Sequence, residues 1–155
     1  MRWYERKRSW VLTLFLVFIL VLVIHARRVD RFLDPYNVAE LLNGETHISD
    51  FSDRNLIELR SYSPNREHSP FFVMNSTAYM EHLPLFPYYF IGYSSISFRF
   101  IDNYLVGFSL ISRSSRHYTR FKRTEVKESY EMLGVSARAT NSTEGIYSIR
   151  FSSVD

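Results

Sequence analysis

The chain has 155 residues, a net charge of +3 and no cysteine, which excludes disulfides, thiol nucleophiles and thiolate metal sites. Residues 1–8 hold four of the nineteen Lys and Arg and one of the sixteen Asp and Glu, leaving fifteen of each sign in 9–155. Because the remainder is neutral, the charge does not indicate a nucleic-acid-binding surface.

An apolar segment follows the basic residues 1–8. Residues 10–24 carry no charge, and Thr13 is their only polar residue. Extended to residues 9–26, the segment is about 27 Å long as a helix, close to the thickness of the bilayer hydrocarbon. The sequence predicts a transmembrane signal-anchor helix at 9–26, preceded by a cytoplasmic tail.

The flanks of this segment predict its orientation. Four basic side chains precede it and three follow it, which favours a cytoplasmic N-terminus and a periplasmic or other extracytoplasmic C-terminal domain. A cleaved signal peptide is the alternative, with Ile24-His25-Ala26 as the cleavage site. Both interpretations place residues from Arg27 onward outside the cytoplasm.

The next residues predict a linker and the start of a small domain. Residues 27–35 form a short charged linker before a domain at 36–155. Residues 36–42 favour one or two helical turns, ended by the turn pair Asn43-Gly44. Residues 56–62 alternate well enough for a strand, whereas Pro84 and Pro87 argue against regular structure at 83–87.

A β-hairpin is the clearest element of the domain. In residues 95–101, Ile96, Phe98 and Phe100 alternate with polar side chains, and a second strand is predicted at 104–112. Asp102-Asn103 between them suits a tight turn, since both residues tolerate positive φ.

The C-terminal part adds a helix and a last strand. A basic loop is expected at 113–123, followed by a helix at 125–133 that Thr124 caps and Gly134 ends. A final strand is predicted at 146–151. The fold class is therefore α+β: one N-terminal transmembrane helix, then a mostly antiparallel sheet with one or two short helices.

Few residues are candidates for chemistry. His47 lies close to carboxylates and could act as a base, although a hydrogen-bonded structural histidine is the simpler interpretation. Ser94 or Ser95 could be a nucleophile, but no base is placed beside either one. Arg113, Arg116 and Arg120 could bind an anionic group or lipid head groups, or could simply be solvated. No metal site or cofactor is predicted.

The order of several short motifs resembles the bacterial Lnb N-terminal periplasmic domain family (DUF4105). Members of that family carry motifs such as H-I-R-N-F, A-H-T-x-x-S-F-x-F, an acidic turn, Y-L-x-x-S-x-E-x-R and Y-E-L. The corresponding residues here are His47-Ile48-Ser49-Asp50-Phe51, Ser97-Phe98-Arg99-Phe100, Asp102, Tyr104-Leu105, Ser109 to Arg113 and Tyr130-Glu131-Met132. The resemblance extends from His47 to Leu133.

That resemblance implies a membrane-tethered extracytoplasmic domain, related to proteins that transfer acyl groups on lipoproteins with a thiol and a histidine. This chain departs from the family at those positions. Tyr93, Ser94 and Ser95 replace the Ala-His-Thr, and Ile111 replaces the glutamate. Without a cysteine, a thiol mechanism is excluded, and the resemblance implies a catalytically degenerate relative.

Two hypotheses of function follow. The first is a membrane-anchored domain of the Lnb type that acts at the cell envelope on lipid or lipoprotein. If active, it would use His47 with Ser94 or Ser95, and Arg113 would bind an anionic group. The second is a non-enzymatic membrane-anchored interaction, accessory or assembly subunit, with a membrane protein as its partner. The lack of a complete catalytic constellation favours the second class.

Overall fold

One long helix, α1 (Trp3–Phe32), begins the chain. The structure is a computed structural model that describes residues 3–59, 76–142 and 144–154. In these residues α1 is the one helix long and apolar enough to cross a membrane. No residue of its most apolar 18-residue stretch is buried within the protein. The predicted apolar helix is therefore confirmed, and its apolar surface faces outward.

The helix continues into the domain, so residues 27–35 are not the predicted linker. Val29 is buried and Leu33 is fully buried, and the ring of Phe32 lies 5.2 Å from that of Phe108. The physical reason is helical periodicity: these apolar residues recur at i, i+3 and i+4 among charged neighbours and share one face. Helix α1 thus contributes directly to the core.

A second helix, α2 (Pro35–Leu41), follows after a sharp turn. Asp34 caps it by accepting the backbone N–H of Tyr36 at 3.1 Å, and Val38 is fully buried. The buried hydroxyl of Tyr130 donates to the Leu33 carbonyl oxygen at the same corner. Burial raises the pKa of Tyr130 to about 12, which keeps this donor protonated at neutral pH.

Six antiparallel strands form a single sheet in the order β1-β2-β3-β4-β6-β5. They are β1 (Ile57–Leu59), β2 (Ser76–His82), β3 (Tyr93–Ile101), β4 (Tyr104–Ser112), β5 (Val135–Asn141) and β6 (Tyr147–Ser153). The predicted α+β class is confirmed. Strands β2 and β5 were not predicted, and the predicted strand at 56–62 extends beyond the described residues.

The predicted hairpin is confirmed as β3 and β4. Asp102 and Asn103 form its turn with φ angles of 51° and 69°. Phe98 and Phe100 are fully buried on one face, whereas Arg99 between them is exposed. Strand β3 begins two residues earlier than predicted, at Tyr93.

The remaining helices correct three predictions. Four residues of the proline-containing segment form α3 (Leu85–Tyr88), although Phe86 within it is extended. Residues 113–123 are not all loop but contain α4 (Ser115–Phe121), because His117 and Phe121 at i and i+4 are both buried. Helix α5 (Thr124–Glu131) has no side-chain cap, and Thr124 lies inside it rather than before it.

The core lies on one face of the sheet and is rich in aromatic rings. Phe108 and Phe151 have centroids 4.9 Å apart, and the fully buried Phe121 and Tyr130 pack on Phe151 at 5.4 Å. Helices α1, α2, α4 and α5 supply the residues that cover this face. The opposite face of the central strands carries Arg and Ser side chains.

Candidate membrane-facing site

An apolar segment of the domain packs against the apolar stretch of α1. The segment comprises α3 and the 3-10 turn Tyr89–Ile91 that follows it. The Phe18 ring lies 5.8 Å from Phe86 and 5.3 Å from Phe90, and the His25 ring lies 5.0 Å from Tyr88. Since Phe18 is close to the middle of residues 10–24, the segment reaches well along the apolar helix.

This segment is exposed on its outer side. Leu85 is 78% exposed, and Phe86, Tyr89 and Phe90 are each more than half exposed. The sequence has no charged residue from Leu83 to Phe98. Together with α1 these side chains form one continuous apolar surface, of the kind that marks a membrane or protein contact.

Basic side chains border this surface. The Arg113 backbone N–H donates to the Gly92 carbonyl at 2.6 Å, which places Arg113 at the end of the apolar segment. Gly92 has φ +89°, and a Cβ there would lie 2.6 Å from Ser114 Cβ. The backbone at Gly92 and the backbone at Ser114 therefore approach each other closely. Arg116 and Arg120 follow on α4 and are exposed. The three predicted arginines thus lie on neighbouring parts of one border.

A partly buried network joins α1, β3 and α4 beside this border. The His117 Nε2 lies 2.9 Å from Asp30 Oδ1, and its Nδ1 bonds the Tyr93 hydroxyl. A carboxylate only accepts hydrogen bonds, so Nε2 carries the proton, and Nδ1 of the neutral ring accepts from Tyr93. Arg120 Nη1 lies 4.0 Å from the same carboxylate oxygen. The network fixes the C-terminal end of α1 to the sheet.

Burial sets the protonation of this network. Burial lowers the pKa of His117. The hydrogen bond to Asp30 and the charge of Asp30 raise that pKa, but the effect of burial is larger. Burial and the Asp30 charge both raise the pKa of Tyr93. A neutral histidine and a protonated tyrosine, the states that burial favours, are compatible with these hydrogen bonds.

His47 has a structural role at the other end of β4. Its Nδ1 accepts the Ser49 backbone N–H at 3.2 Å, and its own backbone N–H donates to Asp50 Oδ2 at 2.8 Å. This capping box begins the 3-10 turn Ile48–Phe51. The ring packs on Tyr104 at 5.3 Å. Each of these contacts belongs to local structure.

The structure does not bring His47 to the candidate serines. Ser95 is buried opposite Ile111, and Ser94 Oγ donates to the Ile111 carbonyl at 3.4 Å. His47 bridges to Tyr104, seven positions from Ile111 along β4, or about 23 Å at the rise of a strand. Arg113 lies at the Ile111 end as well. A His–Ser catalytic pair is therefore not assembled.

The site contains residues that the sequence analysis missed. Asp30 fell in the expected linker, His117 in the expected loop and Phe86 in the segment 83–87 expected to be irregular, whereas no element was predicted at Phe90. The i, i+4 spacing of His117 and Phe121 was the available signal for α4. Across the described ranges, no three His, Asp or Glu side chains converge as metal ligands.

Comparison with known proteins returns no match to a family model, a curated protein or a solved structure. The resemblance to the Lnb family stays a prediction. Function is argued below from the fold and from the membrane-facing site.

Proposed function

We propose that this protein is a single-pass, membrane-anchored, non-enzymatic domain that rests on the surface of its own membrane. One observation carries the proposal: Phe86 and Phe90 pack on Phe18, near the middle of the apolar stretch. If α1 spans the bilayer, the segment from Leu85 to Ile91 lies in the same hydrocarbon layer.

The depth of this contact suits an interfacial segment. Phe18 lies six residues before Ile24, so an upright helix places it about 9 Å inside the end of the apolar stretch. Segments that lie in the membrane interface bury their apolar faces by roughly 5–10 Å. Leu85, Phe86, Tyr89 and Phe90 would then be covered by lipid rather than exposed to water.

The same contacts support an anchor rather than a cleaved signal peptide. Cleavage after Ala26 would remove Phe18 and His25 and leave their aromatic partners on α3 and the 3-10 turn uncovered. It would also cut inside a continuous helix whose next turns carry the buried Val29 and Leu33. Retention of α1 therefore agrees with the packing of the domain.

The bordering arginines suit the head-group layer. Arg113 lies at the end of the apolar segment, and Arg116 and Arg120 follow on the next helix. Basic residues at this level favour anionic lipid. With the cytoplasmic N-terminus that the flanking charges favour, the domain would rest on the extracytoplasmic surface. A lipid or lipoprotein as the recognised molecule rests on the Lnb resemblance.

The proposal favours the interaction class over the envelope enzyme. His47, Ser94 and Ser95 do not meet, and each has a local structural role. A binding or accessory role requires what the structure offers instead: a rigidly attached domain with an exposed apolar surface and a basic border.

Spin labels can test directly whether the segment from Leu85 to Ile91 lies in the lipid. A label attaches to a single introduced cysteine, because the chain has no cysteine of its own. Leu85→Cys and Met132→Cys are matched in exposure, at 78% and 80%, but Met132 lies at the opposite end of the sheet. In full-length protein reconstituted into lipid nanodiscs, we expect the label at 85 to be accessible to oxygen and shielded from an aqueous nickel chelate. The label at 132 should show the reverse.

Equal nickel accessibility at both positions would contradict membrane docking. Reduced accessibility to both reagents at position 85 alone would also contradict it, because it would mean that protein rather than lipid covers the segment. A Phe18→Ala variant serves as the second control. Loss of its ring contacts should make position 85 more accessible to nickel without changing position 132.

A further inference from the structure

The open face of the sheet carries a cluster of arginine and serine side chains. Register places Ser97, Ser109, Arg150 and Arg138 in one row across β3, β4, β6 and β5. The next row holds Arg99, Gly107, Ser152 and Ser136. These residues border a shallow cavity of about 580 Å³. We call this surface the arginine face.

Among the residues that the structure describes, the arginines of this face have no acidic partner. Arg138 and Arg150 stand directly opposite each other on β5 and β6, an arrangement that is destabilising for like charges. No Asp or Glu occupies the paired positions of β2 to β6 on this face. Within the described ranges, the arginines that form ion pairs are Arg54 and Arg120, and neither lies on the arginine face. An anion would relieve the repulsion between Arg138 and Arg150.

The floor of the face leaves room for a ligand. Gly107 lies between Arg99 and Ser152 in its row and contributes no side chain. A Cβ at this position would lie 2.7 Å from the Phe151 carbonyl oxygen. The centre of the cavity is therefore backbone, bordered by long cationic side chains and short hydroxyls.

The position of the face indicates a ligand in solution rather than the bilayer itself. Phe32 on α1 packs on Phe108, which is adjacent to Ser109 on β4. Phe32 lies eight residues beyond Ile24, about 12 Å along an upright helix. The head-group layer is only roughly 5–8 Å thick on each side. The arginine face would therefore stand above the lipid head groups.

We propose that the arginine face binds a soluble ligand carrying phosphate groups. A guanidinium group presents paired N–H donors that match two phosphate oxygens. A phosphate group has a further oxygen that can accept a hydrogen bond, whereas a carboxylate has only two oxygens. Serine hydroxyls of this face can donate to that oxygen; they belong to Ser97, Ser109, Ser136 and Ser152. Arg138 and Arg150 together supply enough charge for a dianion. This site is independent of the membrane-facing surface and goes beyond the proposed function.

Titration calorimetry with pyrophosphate tests the proposal on the full chain in nanodiscs of zwitterionic lipid. We expect saturable binding, weakened about tenfold or more by Arg150→Gln, since hydrogen bonds between charged groups are stronger than neutral ones. Arg138→Gln should weaken binding similarly. Arg123→Gln is the matched control, because it removes the same charge from an exposed residue just before α5, outside both surfaces, and should leave binding unchanged.

Three outcomes would overturn the proposal. One is no heat of binding at millimolar pyrophosphate. Another is equal weakening by Arg123→Gln, which would reveal attraction by net charge alone. The third is binding of polyglutamate as tight as that of pyrophosphate. Far-ultraviolet circular dichroism of each variant checks its folding, and Ser109→Ala offers a milder change on the same face that should still weaken binding.

Discussion

Asp30, His117 and Tyr93 join three elements that are far apart in the sequence. Burial favours a neutral imidazole, in which Nε2 donates to Asp30 and Nδ1 accepts from Tyr93. Arg116 and Arg120 add a smaller effect in the same direction, whereas Asp30 opposes it. This network therefore couples the attachment of α1 to the protonation of one histidine.

Acidification should weaken this attachment. The pKa of His117 is lower in the folded protein than its ordinary value of about 6.5, so below that pH the unfolded chain binds more protons. The contribution of His117 to stability is thus present above about pH 6.5 and is lost as the pH falls toward its folded-state pKa. Urea unfolding in detergent between pH 7.5 and 5 measures the change.

His117→Gln provides the reference for that measurement. Glutamine keeps a hydrogen-bond donor and acceptor but does not titrate, so the variant should lose stability less steeply on acidification than the wild type. Identical pH slopes for the two proteins would contradict the role given to His117. Comparison of the slopes also removes the contribution of carboxylates elsewhere in the chain.

At the level of secondary structure, β4 depends on a residue without a side chain. Gly107→Ala would place a Cβ 2.7 Å from the backbone oxygen of Phe151 on β6, and backbone cannot move aside as a flexible side chain can. We expect a loss of about 1–3 kcal/mol in the free energy of unfolding. Ser109→Ala, two residues away on the same face, should change it by less than about 0.5 kcal/mol. Equal effects, measured by urea unfolding, would contradict this account.

The elements differ in how well the sequence predicted them. The hairpin was clear because Ile96, Phe98 and Phe100 alternate with polar residues. Strand β5 has only Val135 and Ala137 as buried apolar residues, and its alanine, serine and asparagine have low strand propensity. It is a strand because β6 pairs with it over its whole length. Helix α4 was missed because its buried face includes a histidine among basic residues.

For the molecule as a whole, the continuity of α1 predicts that its N-terminal part is retained. Intact-mass spectrometry of the protein purified from membranes should show no form that begins at Arg27, because a cut after Ala26 would remove a helix on which the domain packs. A mass that lacks residues 1–26 would contradict both this expectation and the proposed anchor. Ala26→Leu, which replaces the small residue directly before that cut, should give no change if α1 is already retained.

The sequence by itself determined the features that depend on neighbouring residues. A run of fifteen uncharged residues specifies an apolar helix, and alternation with a period of two specifies a β-hairpin, because both signals arise from local backbone geometry. The neutral charge of residues 9–155 follows from counting alone. These features define an α+β domain behind one apolar helix.

Only the tertiary structure decided which distant residues meet. Strand register set His47 about 23 Å from Ser95 and placed Arg138 opposite Arg150. The packing of α1 on the sheet brought Asp30 to His117 and Phe18 to Phe86. Such contacts depend on how elements pair and pack over long separations, and a local pattern carries no information about that choice.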